Sequence, residues 1–273
     1  MNKVNIRDNK FNVLTDYNHF IEPSEFNSIS SFHNSSIYLN NTHNISKEIK
    51  ISIIILYDNL EFLEKTIGSL ENQLFENFEI ILIYDDNNKI NFGICKKYNE
   101  LYPNIKLINN KEEKGLFYSY SIGIIYSKGN YILILEAGIT LTKNSILSGL
   151  YNNLINDEID ILEFNILLNY NEVLQMNSLS LYRCNHFNSE IDLSIIKYNK
   201  KYKELDEEKE ILSNKIIRAD IIKKITSKYI LIHNKRKIYN YFDDIILFLV
   251  YKYNTKFKQI DLLGGLKYIY ERN

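Results

Sequence analysis

Gly115-Leu-Phe-Tyr-Ser-Tyr-Ser-Ile-Gly123, Ser127-Lys-Gly-Asn-Tyr-Ile-Leu-Ile-Leu135 and Glu136-Ala-Gly-Ile-Thr140 follow one another almost without a break. The first stretch suits a helix. The second is a tight glycine turn running into a strand, and the third is the polar end of that strand. Tyr131 to Leu135 contains no charged or small polar residue, the pattern of a strand covered on both faces. Such a strand implies a sheet with helices packed above and below it.

The chain upstream repeats that unit. Ile51-Ser-Ile-Ile-Ile-Leu56 is a short run rich in β-branched residues, and Leu60, Leu63, Ile67 and Leu70 then recur at helical spacing. Phe78-Glu-Ile-Ile-Leu-Ile-Tyr84 is a second buried strand that stops at Asp85-Asp-Asn-Asn88. A helix carrying Ile90, Ile94, Tyr98 and Leu101 is closed by Pro103, and Asn104-Ile-Lys-Leu-Ile-Asn109 is a third strand. Downstream, a helix over about 143–155 leads into a strand at Ile159-Asp-Ile-Leu-Glu-Phe-Asn-Ile-Leu-Leu168. Helices are expected around 204–225 and 244–254, with a late strand near Lys256-Phe-Lys-Gln-Ile260. Strands alternating with helices give an α/β fold with a mostly parallel sheet and helices on both faces.

Residues 1–48 are polar, rich in Asn and Ser, and without periodicity, which predicts a flexible N-terminal arm before a domain over 49–273. Asn34-Ser-Ser, Asn40-Asn-Thr and Asn44-Ile-Ser match the glycosylation sequon, but an Asn/Ser-rich tract yields such matches by chance. No apolar run nears the ~20 residues of a membrane span, and the N-terminus lacks the apolar core of a signal peptide. The expectation is a cytoplasmic protein with no membrane segment of its own, compatible with peripheral association through a partner. A formal charge of -1 in 273 residues argues against nucleic acid as a partner. The only two cysteines, Cys95 and Cys184, are not arranged as metal ligands, and His186 near Cys184 has no second ligand pair to complete a zinc site.

In an open parallel sheet, ligands bind outside the carboxyl ends of the strands. Three strand ends carry polar clusters here: Tyr57-Asp-Asn59, Asp85-Asp86 and Glu136-Ala-Gly138. Each cluster alone is equally the composition of a turn, whereas three on one rim make a candidate nucleotide cleft.

Residues from about 50 to 150 resemble the family 2 glycosyltransferases. The matching pieces are Ile51-Ser-Ile-Ile-Ile, Leu63-Glu-Lys-Thr-Ile-Gly-Ser-Leu-Glu-Asn-Gln73, Phe78 through Asp86, Gly115 through Gly123, and Ser127 through Leu135. Over 200–273 the likeness is weaker and rests on Ser213-Asn-Lys-Ile-Ile-Arg218, Phe242-Asp-Asp244 and Gly265-Leu-Lys-Tyr268. The resemblance implies a GT-A (Rossmann-like) fold and transfer of a sugar from a nucleotide-sugar, a UDP-sugar, to a glycan, protein or lipid acceptor, with inversion. It also implies that Asp85 or Asp86 binds the uracil and ribose, that Asn59 lines the same pocket, and that Asp244 or Asp243 is the general base. Capping of the helix that begins at Ile245 is the competing explanation of the same two aspartates, and one can cap while the other reacts. The family carries an Asp-x-Asp motif for Mn²⁺ or Mg²⁺ where Glu136-Ala137-Gly138 stands, so Glu136 is left as the single carboxylate of a degenerate metal site. Tyr120-Ser121 likewise stands where an Arg-Asn pair is common. Lys114 and Lys128 are either substitute cations or surface lysines. Two other readings stay open: a catalytically impaired family member that binds nucleotide-sugar or a partner, and an unrelated nucleotide-binding α/β protein. The last lacks any glycine motif that would cradle a phosphate.

Overall fold

The computed structural model describes residues 35–38, 48–57, 60–85, 89–110, 116–170, 173–176, 212–224, 226 and 256–269. Its strands are β1 (Ser35–Tyr38), β2 (Ile51–Leu56), β3 (Phe78–Tyr84), β4 (Ile105–Asn110), β5 (Tyr131–Ile134), β6 (Ile139–Leu141), β7 (Ile161–Tyr170), β8 (Val173–Met176), β9 (Lys215–Arg218) and β10 (Phe257–Ile269). Among the described residues the helices that join them are α1 (Leu60–Glu71), α2 (Lys89–Leu101), α3 (Leu116–Tyr126) and α4 (Ile146–Asn156). A short helical stretch over 219–224 follows β9.

All ten strands form one sheet in the order β1-β4-β3-β2-β5-β9-β7-β10-β6, with β8 paired to β7. β2 pairs in parallel with both β3 and β5, and β3 with β4. β9 runs antiparallel to both β5 and β7, which turns β7 back to the direction of β5, and β10 is parallel to β7. Six of the ten strands (β2, β3, β4, β5, β7 and β10) therefore point the same way.

Alternate residues of the central strands feed two cores. Ile51, Ile53 and Ile55 of β2, with Ile80 and Leu82 of β3, meet Leu63, Ile67 and Leu70 of α1, Cys95 of α2, and Leu147 and Leu150 of α4. Ile54, Ile81, Ile83 and Ile108 on the opposite face meet Tyr118, Tyr120, Ile122 and Ile124 of α3 and Ile222. Each fully buried Ile or Leu contributes about 1.5–3 kcal/mol relative to exposure. Burial pushes the Cys95 thiol up to about 12, which makes it a packing residue and not a reactive one.

Buried charges interrupt the second core. The Glu79 carboxylate accepts hydrogen bonds from Ser52 Oγ (2.7 Å), the Lys128 backbone N–H (2.6 Å) and Lys106 Nζ (3.1 Å). Lys106 Nζ also donates to the Tyr126 carbonyl and Lys223 Nζ to that of Ser127, so both ammonium groups meet the carboxyl end of α3, where the helix dipole favours cations. Gly129 N–H donates to Ser52 Oγ at 2.8 Å. A Cβ on Gly129 would stand 2.5 Å from the Ser52 backbone nitrogen, so only glycine fits this crossing.

The structure differs from the sequence reading in the last third. The helix expected over 204–225 is described only from 212, and there it is a 3₁₀ turn, Leu212–Asn214, followed by β9 and then the stretch at 219–224. β9 is a strand because the free edges of β5 and β7 both pair with it, and such tertiary pairing overrides local propensity. The late strand runs on to Ile269 because β10 pairs with β7 on one side and β6 on the other. β1 lies within the segment expected as a polar arm and pairs antiparallel with β4. The helix expected at 244–254, like Cys184 and His186, falls outside the described residues. Among those residues no helix is long and apolar enough to cross a membrane.

Replacing Gly129 with Ala should lower unfolding free energy by about 2–3 kcal/mol, because the obstruction is backbone. A Cβ at Gly149 in α4 meets nothing within 4 Å, so Gly149→Ala should raise stability by about 0.5–1 kcal/mol. Urea titrations of the two variants, opposite in sign, check the pair.

Candidate functional site

The carboxyl ends of β2, β3, β4 and β5 form one rim. Tyr57 N–H donates to the Ile83 carbonyl (2.8 Å) and Leu135 N–H to that of Ile54 (2.9 Å), so the ends of β3 and β5 are held on either side of β2. After β2 the chain moves toward β3 and β4, whereas after β5 it moves toward the other half of the sheet. Open α/β sheets bind ligands outside the carboxyl ends of their strands, which here is this rim.

Asp85 and Glu136 both lie on this rim, Asp85 directly after β3 and Glu136 two residues past the end of β5. Asp85 Oδ2 accepts a hydrogen bond from Ser119 Oγ at 2.8 Å, and Ser119 Oγ accepts one from Asn110 Nδ2 at 3.1 Å. The rings of Tyr57 and Tyr84, at the ends of β2 and β3, pack in the first core with centroids 5.5 Å apart. Asn59, Asp86, Asp243, Asp244 and Lys114 fall outside the described residues. Lys128 is exposed and lies before the start of β5, at the opposite end of that strand from Glu136. Tyr120 is buried in the second core.

Glu136 is half-buried, and its backbone N–H donates to Ser213 Oγ at 3.3 Å. Its carbonyl accepts from Ile139 N–H, closing a turn around Ala137-Gly138. Gly138 has φ +96, a conformation that costs any L side chain. Its N–H is shared between Thr66 Oγ1 (2.8 Å) and the Phe62 carbonyl (3.2 Å). The tripeptide therefore offers one carboxylate at Glu136 and none at Gly138. Among the described residues no group of three or more His, Cys, Asp or Glu converges to hold a metal ion. These residues do not fit a divalent cation held by a carboxylate pair, which needs several oxygen ligands.

One flank of α1 holds the whole segment that follows Glu136. Phe62, Thr66, Ser69 and Gln73 recur at helical spacing. Thr66 and the Phe62 carbonyl take Gly138 N–H, and Ser69 Oγ takes Leu141 N–H (3.1 Å). Gln73 accepts from Leu147 N–H (3.1 Å) and donates to the Lys143 carbonyl (2.8 Å). Ser145, at the N-cap position of α4, makes no side-chain capping bond, so Gln73, two residues past the end of α1, supplies that cap.

Residues 52–226 match the family model described as "Glycosyl transferase family 2". The chain belongs to that family. It is 32% identical over 119 residues to the "Minor teichoic acid biosynthesis protein GgaB" of Bacillus subtilis (strain 168), covering 40% of this chain and 13% of that protein. The crystal structure of S. aureus TarS 1-349 superposes with a TM-score of 0.56 at 17% identity, covering 81% of this chain and 60% of that one. The same TarS fragment in complex with UDP-GlcNAc superposes with a TM-score of 0.55 at 14% identity, covering 82% and 59%. These likenesses establish the GT-A fold of the family 2 transferases. The chain spans less than two thirds of the length of either relative.

Within the family 2 frame, the pieces Leu63–Gln73 and Ser127–Leu135 gain a structural reason. The first carries the polar flank of α1, and the second carries the glycine that passes Ser52. The roles of Ser119, Asn110 and Ser213 escaped the sequence reading. Thr66, Ser69 and Gln73 were legible as three polar residues at helical spacing, beside the apolar stripe that marked the helix.

Gln73→Leu would strand the buried Leu147 N–H at about 1–3 kcal/mol, while the exposed Lys143 carbonyl keeps Ile146 N–H. The expected loss is about 1–3 kcal/mol with an unchanged urea m-value. Hydrogen exchange should accelerate over 138–150 before it does in β2 and β3.

Proposed function

We propose that the protein transfers a sugar from a UDP-sugar to the hydroxyl of an acceptor, with inversion, and that the rim between β2 and β5 binds the donor. The family match over residues 52–226 carries this reading. The shared fold of TarS, which was crystallised with UDP-GlcNAc, supports a uridine donor. Asp85 suits the nucleoside end, because a carboxylate accepts from the uracil N–H and the ribose hydroxyls. In the proposed step the acceptor oxygen attacks the anomeric carbon as the bond from that carbon to the diphosphate oxygen breaks. UDP departs with the bonding electrons, and a general base takes the hydroxyl proton. Asp244, or its neighbour Asp243, is proposed as that base, with Asn59 and Asp86 proposed beside Asp85.

A second reading is favoured by one observation. The backbone at Gly138 has φ +96, so the second carboxylate of a metal site is disfavoured by conformation as well as missing from the sequence. A family member built this way would bind the nucleotide-sugar without turning it over.

A donor panel read by thermal shift, with and without Mn²⁺, separates the readings. UDP should raise Tm to a similar extent in both conditions, with a gain of about 2.7 kcal/mol at a hundredfold excess over Kd. Asp85→Ala should abolish most of the shift. Release of UDP that Asp244→Asn stops supports transfer, and binding without release supports the second reading. A chain that binds no uridine nucleotide in either condition would refute both.

A further inference from the structure

We propose that Ser119 is a positioning residue, which with Asn110 fixes the Asp85 carboxylate for the donor nucleotide. This deepens the reading above and rests on its assignment of Asp85. Ser119 is fully buried in α3 and Asn110 is 2% exposed at the end of β4. A serine hydroxyl has one hydrogen to donate, and an amide nitrogen can only donate. The 3.1 Å bond from Asn110 Nδ2 therefore occupies an Oγ lone pair, and the one hydroxyl hydrogen is left for Asp85 Oδ2 at 2.8 Å. Turning the Asn110 amide over would set two acceptors against that single hydrogen. The chain thus has one polarity, from Asn110 through Ser119 to Asp85, and it ends on a carboxylate that must accept.

Ser52 likewise gives its hydrogen to a distant carboxylate, that of Glu79, whereas three other serines spend theirs locally. Ser69, Ser127 and Ser148 donate to the carbonyls of Thr66, Ile124 and Ser145, three residues back. Ser119 instead reaches across 34 residues of sequence to a carboxylate at the rim. A carboxylate at a strand end samples several rotamers. One held by a charge-assisted bond from a buried donor is already ordered when ligand arrives. The residue behind Asp85 therefore acts on affinity for the nucleotide without touching it.

The test is a double-mutant cycle on the full chain, with UDP titrated calorimetrically into wild type, Ser119→Ala, Asp85→Ala and the double variant. Ser119→Ala keeps a good helix former, and apo melting curves check that each variant is folded. Ser119→Ala should weaken UDP binding about three- to tenfold, and Ser119→Thr, which retains the hydroxyl, should stay within about twofold of wild type. In the Asp85→Ala background the Ser119→Ala effect should vanish, since a residue acting through Asp85 has nothing left to position. Unchanged affinity in folded Ser119→Ala overturns the positioning role alone. An equal loss with or without Asp85 overturns it too and leaves a packing role. If wild-type protein gives no UDP binding, the nucleotide reading falls and the positioning role falls with it.

Discussion

The close passage of Gly129 over Ser52 is the contact on which the architecture turns. The chain leaves β4 on one side of β2 and must come down as β5 on the other. It does so by laying its backbone against that of β2, where a single methyl group would collide. The buried Glu79 carboxylate fastens the crossing by accepting from β2, β4 and the turn itself. A charge buried this deeply is expensive unless its acceptor capacity is used. Here it is used by groups from three separate segments, so the same interaction that settles the charge also sets the order β4-β3-β2-β5. That order places the ends of β3 and β5 on either side of β2, and hence Asp85 and Glu136 on one rim.

Legibility of the fold follows from how strongly each element speaks locally. Ile51–Leu56, Phe78–Tyr84 and Tyr131–Leu135 are strands by composition alone, because burial on both faces demands continuous apolar runs. Lys215–Arg218 holds only Ile216 and Ile217 between charged residues and follows a charged stretch with helical character. Nothing within it announces a strand, and its conformation is dictated by the edges of β5 and β7. For the rim, strand ends rich in Asp and Glu pointed to Asp85 and Glu136. Ser119 and Asn110 could not be seen that way. Their role depends on a triangle closed by β3, β4 and α3, and buried serines and asparagines look alike in sequence whatever they bond.

The site is held from behind. Thr66, Ser69 and Gln73 take backbone groups of the segment from Glu136 to Leu147 in turn and cap the next helix. The polar flank of α1 thus does for this loop what a strand does for its neighbour. Such a loop keeps its shape when its exposed residues change, which lets side chains at the rim diverge while the backbone beneath them stays put.

The insertion of β9 has a consequence for the order in which this protein can be made. Glu136 and Ser213, which supports it, are 77 residues apart. β2, β3, β4 and β5 leave the ribosome long before β9, and at synthesis rates of about 5–20 residues per second the interval lasts several seconds. During that time β5 offers an unpaired edge of Tyr131, Ile132, Leu133 and Ile134, an apolar template for any other extended chain. The half of the molecule that carries Asp85 can assemble first, but the rim beside Glu136 closes only when Ser213 and the strand behind it arrive. The nascent chain is therefore most exposed to mispairing at the place where the finished protein is proposed to hold its donor.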